Sequence, residues 1–319
     1  MSLITAIKSG DAARAPGRRD EAFRWTDLRG ALGTVPAVTD ARQPVGDGTA
    51  PEGVLLRRHA APVGSGVDET LLTVKAGETL RLIDHICAGE GAYVRDLALP
   101  IVLEAGASLI RLVLVEDGAE AITYCRSDVT LSSGASFRQT VLAGGAKRQR
   151  IETTVAHPGL GASVELNGAY IVDAQRHTDQ TTRIAHSGRA GASRQLVRGV
   201  AADRGRGVFQ GLIAVAEGAD GTDARLKHNA LLLSDRAEID AKPELEIFAD
   251  DVACAHGNTV GALDEDALFY AMSRGLPLEV ARRLLIGAFL GEIVERIGDA
   301  DLEALGRAFL TRRLEALAS

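Results

Sequence analysis

Between Val67 and Gly261 the chain runs in short apolar and polar alternations broken by turn residues, with no sustained 3.6-residue period. The runs "LIRLVLV", "FRQTVLA", "VELNGAYIV" and "RQLVRGVAA" each follow a Gly-Ala-Ser tripeptide, at 106–108, 134–136, 161–163 and 191–193. The copies stand 28, 27 and 30 residues apart. A turn-plus-strand unit repeated at that period predicts a β-solenoid, in which each coil buries its apolar side only by stacking on its neighbours. About seven coils fit between residues 67 and 260 at that spacing. Glycine at the corners supplies backbone angles other residues avoid, and alanine or serine keeps stacked corners uncrowded.

After Gly261 the period changes to a helical one. Asp264 is an N-cap, Leu268 and Met272 stand at i and i+4, and Gly275 is a stop, which predicts one helix. A second restarts at Pro277 with Val280, Leu284, Ala288, Ile293 and Ile297 along one stripe. A third follows from Asp301, with Leu302, Leu305, Phe309 and Leu314. Because the ends of stacked coils need covering, these helices are expected to cap the solenoid. Before the repeats, "RRDEAFRWTDLRGAL" spaces Trp25 and Leu28 for a small helix, and 31–66 is rich in Pro, Gly and small polar residues and reads as a lead-in loop. The expected organisation is a short N-terminal helical and lead-in segment over 1–66, a β-helix core over 67–261, and a C-terminal helical domain over 262–319.

Composition fits a thin, layered fold: 46% of residues are hydrophobic but only 4% aromatic. The formal charge of -7 argues against nucleic acid or anionic lipid as a partner. No window approaches the ~20 apolar residues of a membrane span, and the N-terminus shows no signal-peptide h-region, so a cytoplasmic protein is expected. Three cysteines, an odd number, point to reduced thiols rather than a disulfide framework. Cys87 and Cys125 sit in strand-like runs and read as small buried apolar groups.

Cys254 is different. It stands two residues before His256 in "DDVACAHGNTVG", a spacing that puts thiol and imidazole on one face of a strand. Two donors do not fill a tetrahedral site, and no second Cys/His cluster supplies the rest, so further ligands would come from a distant coil or another subunit. Other motifs are weaker. His177, Asp179 and Ser187 lack a nucleophile elbow and read as a solvated strand face. "GRGVFQG" (205–211) and "GGAKRQR" (144–150) hold glycines and arginines but fit no phosphate-loop pattern.

From Arg204 on, "LLLSDRAEIDAKPELEIFADDV", the Cys254-x-His256 tract and "LFYAMSRG" resemble the C-terminal core of the SufB/SufD family, subunits of the SUF iron-sulfur cluster assembly machinery, over about ninety residues; "RRDEAFRWTDLR" is similar to a segment near that family's N-terminus. His256-Gly257 and the closing Gly261 look more like SufD than SufB. The resemblance implies a right-handed parallel β-helix followed by helices, and a noncatalytic scaffold that pairs with a SufB-like paralogue through the β-helix edge. It also implies docking of a SufC-like ATPase on the C-terminal helices, with Tyr270, Arg274, Gly275, Arg282 and Phe289 as candidate contacts. His256, and less directly Cys254, become candidate cluster-assembly residues at the SufB interface. No cofactor is expected to bind the isolated chain tightly; iron or a nascent cluster would rest there transiently in complex with SufB. This sequence departs from the family pattern in a short N-terminal region, in Arg225, where glutamine is commoner, and in Asn258, where alanine is. A polysaccharide-acting β-helix enzyme and a structural homodimer joined through β-helix edges are the rival readings.

Overall fold

The computed structural model describes residues 2–45 and 49–317, so residues 46–48 of the lead-in and 318–319 of the C-terminal segment lie outside the described residues. The chain opens with α1 (Leu3–Ser9) and a single turn α2 (Leu28–Ala31). The helix expected around Trp25 is thus reduced to a 3-10 turn over Glu21–Phe23 and that one turn. Seventeen strands follow among the described residues. They are β1 (Leu55–His59), β2 (Ser65–Glu69), β3 (Leu72–Val74), β4 (Thr79–Ile86), β5 (Val94–Ala98) and β6 (Ile101–Leu103). Next come β7 (Ser108–Val115), β8 (Ile122–Leu131), β9 (Ser136–Ala143), β10 (Arg148–His157), β11 (Ser163–Val172) and β12 (His177–His186). The last are β13 (Ala192–Ala201), β14 (Arg206–Val215), β15 (Asp223–Leu232), β16 (Glu238–Ile247) and β17 (Ala253–Gly261). Three helices close the chain: α3 (Glu265–Ser273), α4 (Leu278–Glu295) and α5 (Ala300–Leu317).

All strand-to-strand ladders are parallel, and they form two facing sheets. One runs β1-β4-β7-β9-β11-β13-β15-β17, the other β16-β14-β12-β10-β8-β5-β2, with β3 and β6 extending it. This is the predicted solenoid, a parallel β-helix. The expected start at residue 67 falls inside β2, and parallel pairing already begins with Leu55↔Leu82. The Gly-Ala-Ser copies all mark one corner. Ser108, Ser136 and Ser163 are in register, and Gly106, Gly134 and Gly161 have φ of 67°, 68° and 76°. The fourth copy is slipped by one: Ser163 pairs with Ala192, so the left-handed position falls on Ala190 (φ 55°) rather than on Gly191. That slip accounts for the odd spacing of 30.

The interior between the sheets is apolar around Val113, Tyr170, Val197, Phe209 and Ile213, with a polar belt nearer the N-terminal coils. There Asp84 is fully buried and accepts from Arg57 (2.6 and 2.7 Å) and Arg111 (2.6 Å), and Arg111 in turn donates to Gln139. The belt is tolerable because its charges are paired and hydrogen-bonded.

The C-terminal helices do not cap the stack as expected. α4 lies along β11 and β13, and α5 along β7 and β9. Ile286, Leu290, Ile293, Val294, Phe309 and Leu314 pack on Leu112, Leu142, Ile171 and Leu196 from the outer face of the first sheet. The outward-facing residues of these middle strands, Leu112, Leu142, Ile171 and Leu196, are themselves apolar, and covering them removes apolar surface from water. The stripe predicted for α4 is correspondingly rotated: Ile293 and Ile297 are buried, whereas Val280 and Leu284 are exposed.

Candidate functional site

With the helices on the flank, β16 and β17 each end their sheet with a free edge. Ala253 N donates back to Thr222, and alternation along a parallel strand then turns the N–H and C=O of Cys254, His256, Asn258 and Val260 away from β15. On β16, Glu238 and Phe248 donate back to Gly205 and Val215, so the odd-numbered residues face outward. Pro243 is one of these, and its missing N–H removes a donor from the free edge, not from the ladder.

The side chains of β17 follow the same two-residue alternation. Cys254 packs against the interior core, and Asn258 Oδ1 lies 2.7 Å from Nδ1 of the buried His228. His256, between them, shares their face and is exposed. His228 donates from Nδ1 to Asn258, accepts from the Tyr170 hydroxyl at Nε2 (3.0 Å), and stacks on Phe209 with ring centroids 4.8 Å apart. Asn258 therefore ties the open strand to the interior, something alanine at this position would not do. Burial raises the Cys254 thiol above its ordinary value, so it stays protonated at neutral pH until a cation displaces the proton. Among the described residues no three His, Cys, Asp or Glu side chains stand close enough to hold a metal. Cys254 and His256 thus stand on one face of an open edge strand, with no third such side chain close to them among the described residues.

The candidate helix contacts divide into two places. Tyr270 is exposed on α3 with the Arg274 guanidinium 5.2 Å from its ring centroid, and Gly275 (φ 94°) follows the end of that helix. Arg282 is exposed on α4 and paired with Glu279 at 3.1 Å. Phe289 instead faces the sheet, under the guanidinium of Arg198 at 4.7 Å. Sequence reading missed Phe269 (73% exposed), which with Leu284 of the predicted stripe (56% exposed) extends the apolar surface of α3 and α4. It also missed a cluster at the other end of the stack. His85 bonds Glu116 at 2.6 Å and stands beside Cys87, whose thiol is held below its ordinary value by His85 and Arg58 in spite of burial. His85 and Cys87 stand two residues apart on one strand run, a spacing the sequence does show; only the pairing of coils adds Arg58 and Glu116.

His177 and Asp179 are not on a solvated face. Both are buried beneath the N-terminal segment: Thr26 donates to Asp179 (2.5 Å), as do Arg150 (2.8 Å) and Gln210 (3.0 Å), and His177 Nε2 lies 3.1 Å from the Trp25 carbonyl. Ser187 bonds elsewhere, to the His157 carbonyl, so no triad forms.

Fold and site together define a parallel β-helix with helices on its flank and an uncovered last coil that carries a thiol and an imidazole on one face. Residues 58–289 match the family model described as SUF system FeS cluster assembly, SufBD core domain, and the chain belongs to that family. It is 32% identical to the iron-sulfur cluster assembly protein SufD of Escherichia coli over 245 residues, 76% of this chain and 58% of that one. It is 31% identical to the chloroplastic protein ABCI7 of Arabidopsis thaliana over 219 residues, 68% of this chain and 46% of that one. With the SufD of Bacillus subtilis it shares 39% identity over 117 residues, 37% of this chain and 27% of that one. The chain is SufD-like, and it spans less than two thirds of the length of these relatives.

Proposed function

We propose that this chain is a noncatalytic scaffold subunit of a cytoplasmic SUF complex, joined to a SufB-like paralogue through its last coil and to a SufC-like ATPase through α3 and α4. The observation that carries this reading is the open edge of β17. It presents unpaired backbone groups and two metal-ligating side chains on the same strand, so the strand that satisfies the backbone also brings whatever completes the ligand set. Iron, sulfide or a nascent cluster is cargo at that seam: His256 offers an imidazole nitrogen, and Cys254 offers a thiolate once a cation arrives. The ATPase supplies nucleotide chemistry, for which this chain has no loop of its own. Its docking surface would be the exposed apolar side chains of Phe269, Tyr270, Met272 and Leu284.

The test is co-expression with the two partners and anaerobic purification of wild type and His256→Ala. The variant complex is expected to assemble and to lose most of its bound iron and sulfide. If it assembles and keeps both, the Cys254-x-His256 strand is only an edge and the cargo site lies wholly in the partner.

A further inference from the structure

We propose that the corner of the β-helix between the N-terminal segment and the starts of β10, β12 and β14 is a binding site for a small phosphate-bearing anion of at least two negative charges. The two arginine- and glycine-rich stretches that fit no phosphate loop in sequence, 144–150 and 205–211, are brought to one corner by the coil period, with β12 between their strands. There they line two adjoining clefts of about 310 and 450 Å³ that share the side chains of Arg148 and Arg206. Arg18, Arg24 and Trp25 from the N-terminal segment wall the first, and Arg176, Arg204 and Arg236 the second.

Seven arginines and two carboxylates, Asp27 and Glu238, line the clefts, so they are net positive in a chain whose net charge is -7, and that excess concentrates the field on an incoming anion. The carboxylates present are already used: Asp27 pairs with Arg18, Glu238 and Asp240 with Arg206, and Asp173 with Arg176. Arg148, Arg204 and Arg236 make no ion pair among the described residues, and Arg148 is held below its ordinary pKa, first by burial and then by Arg206 and Arg18. Guanidinium groups gathered without counter-charge match phosphate oxygens in geometry as well as charge.

A second, independent feature points to a ligand. His177, 1% exposed, belongs to the wall of the larger cleft, and its Nδ1 is buried with no partner. Its Nε2–H donates to the Trp25 carbonyl, which leaves Nδ1 as an acceptor. The small volume of the clefts, about 310 and 450 Å³, suits a small phosphate compound rather than an acidic protein segment.

The site does not depend on the scaffold reading and can be tested on the full chain alone. Calorimetric titration with inorganic pyrophosphate at low salt should give saturable binding at one site per chain, weakening as salt is raised. Arg204→Ala with Arg236→Ala removes two exposed side chains, so melting should be unchanged while affinity falls at least ~10-fold. Absence of saturable binding, or the same affinity in the double variant, would overturn the proposal. So would binding of an oligoglutamate peptide in the same clefts, displaced by no excess of pyrophosphate, which would make the corner a docking site for an acidic protein segment.

Discussion

His228 and His177 illustrate how much of this fold depends on neutral imidazoles. Both are buried and both are pushed down to about 4, chiefly by desolvation. In the unfolded chain a histidine takes up its proton near pH 6.5. The stabilisation from keeping these rings neutral is therefore complete above about pH 6.5 and is lost as pH falls toward about 4. His85 runs the other way. Cys87 and Glu116 raise it to about 9, so its contribution is present below the unfolded value and disappears as pH rises through about 9. Denaturant unfolding is thus expected to show falling stability from pH 6.5 down to 4 that His228→Phe and His177→Phe make shallower; a slope unchanged in both variants would contradict the burial argument. The burial of Cys87 and Cys125 was legible in the sequence from their strand-like neighbours. That of His177 and Asp179 was not, because the residues covering them lie some 150 positions earlier (Thr26 and Trp25), and no local pattern reports a contact of that range.

At the scale of the element, the coil period was the most legible feature. A left-handed corner residue recurs once per coil, and glycine meets that demand at 106, 134 and 161. The fourth tripeptide misleads by one position because Ala190 takes the left-handed conformation in its place. The helices were legible in existence and less so in facing. Asp264 caps α3 as expected, its carboxylate accepting from Ala267 N at 2.9 Å, but α3 buries nothing and the first two turns of α4 leave Val280 and Leu284 exposed. Apolar periodicity shows that a helix has a sticky face, not which neighbour takes it. The exposed portion is the surface assigned to the ATPase. Leu284→Asp with Tyr270→Ala should leave melting within about 0.5 kcal/mol of wild type, as surface changes do, while ATPase binding in a pull-down falls at least ~10-fold. Retained binding would move the docking site elsewhere. Point substitutions are the better test here than removal of the helices. Truncation after Leu263 would uncover Leu112, Leu142, Ile171 and Leu196, each contributing about 1.5–3 kcal/mol by burial, and would confuse loss of docking with loss of fold.

The whole molecule is asymmetric in a way the sequence did not announce. Sequence reasoning expected helices over the end of the stack; the apolar outer faces of β7, β9, β11 and β13 draw them to the flank instead, and the last coil stays open. The two edge strands differ: β16 carries Glu238, Asp240, Lys242, Glu244 and Glu246 together with Pro243, features that blunt an edge, whereas β17 has no Asp, Glu, Lys, Arg or Pro over Ala253–Gly261. A free edge of this kind in a native chain is a place for another strand. Val260→Pro tests it with the least collateral change, because the N–H it removes points away from β15 and the side chain is 40% exposed. The decisive measurement is the mass, by light scattering on a sizing column, of the complex formed when this variant and wild type are each mixed with the SufB-like and ATPase partners. Wild type should elute with both; the variant should melt like wild type, keep the ATPase and lose the SufB-like subunit. A variant that still elutes with both partners at the wild-type mass would show that the open coil is not the seam of the assembly.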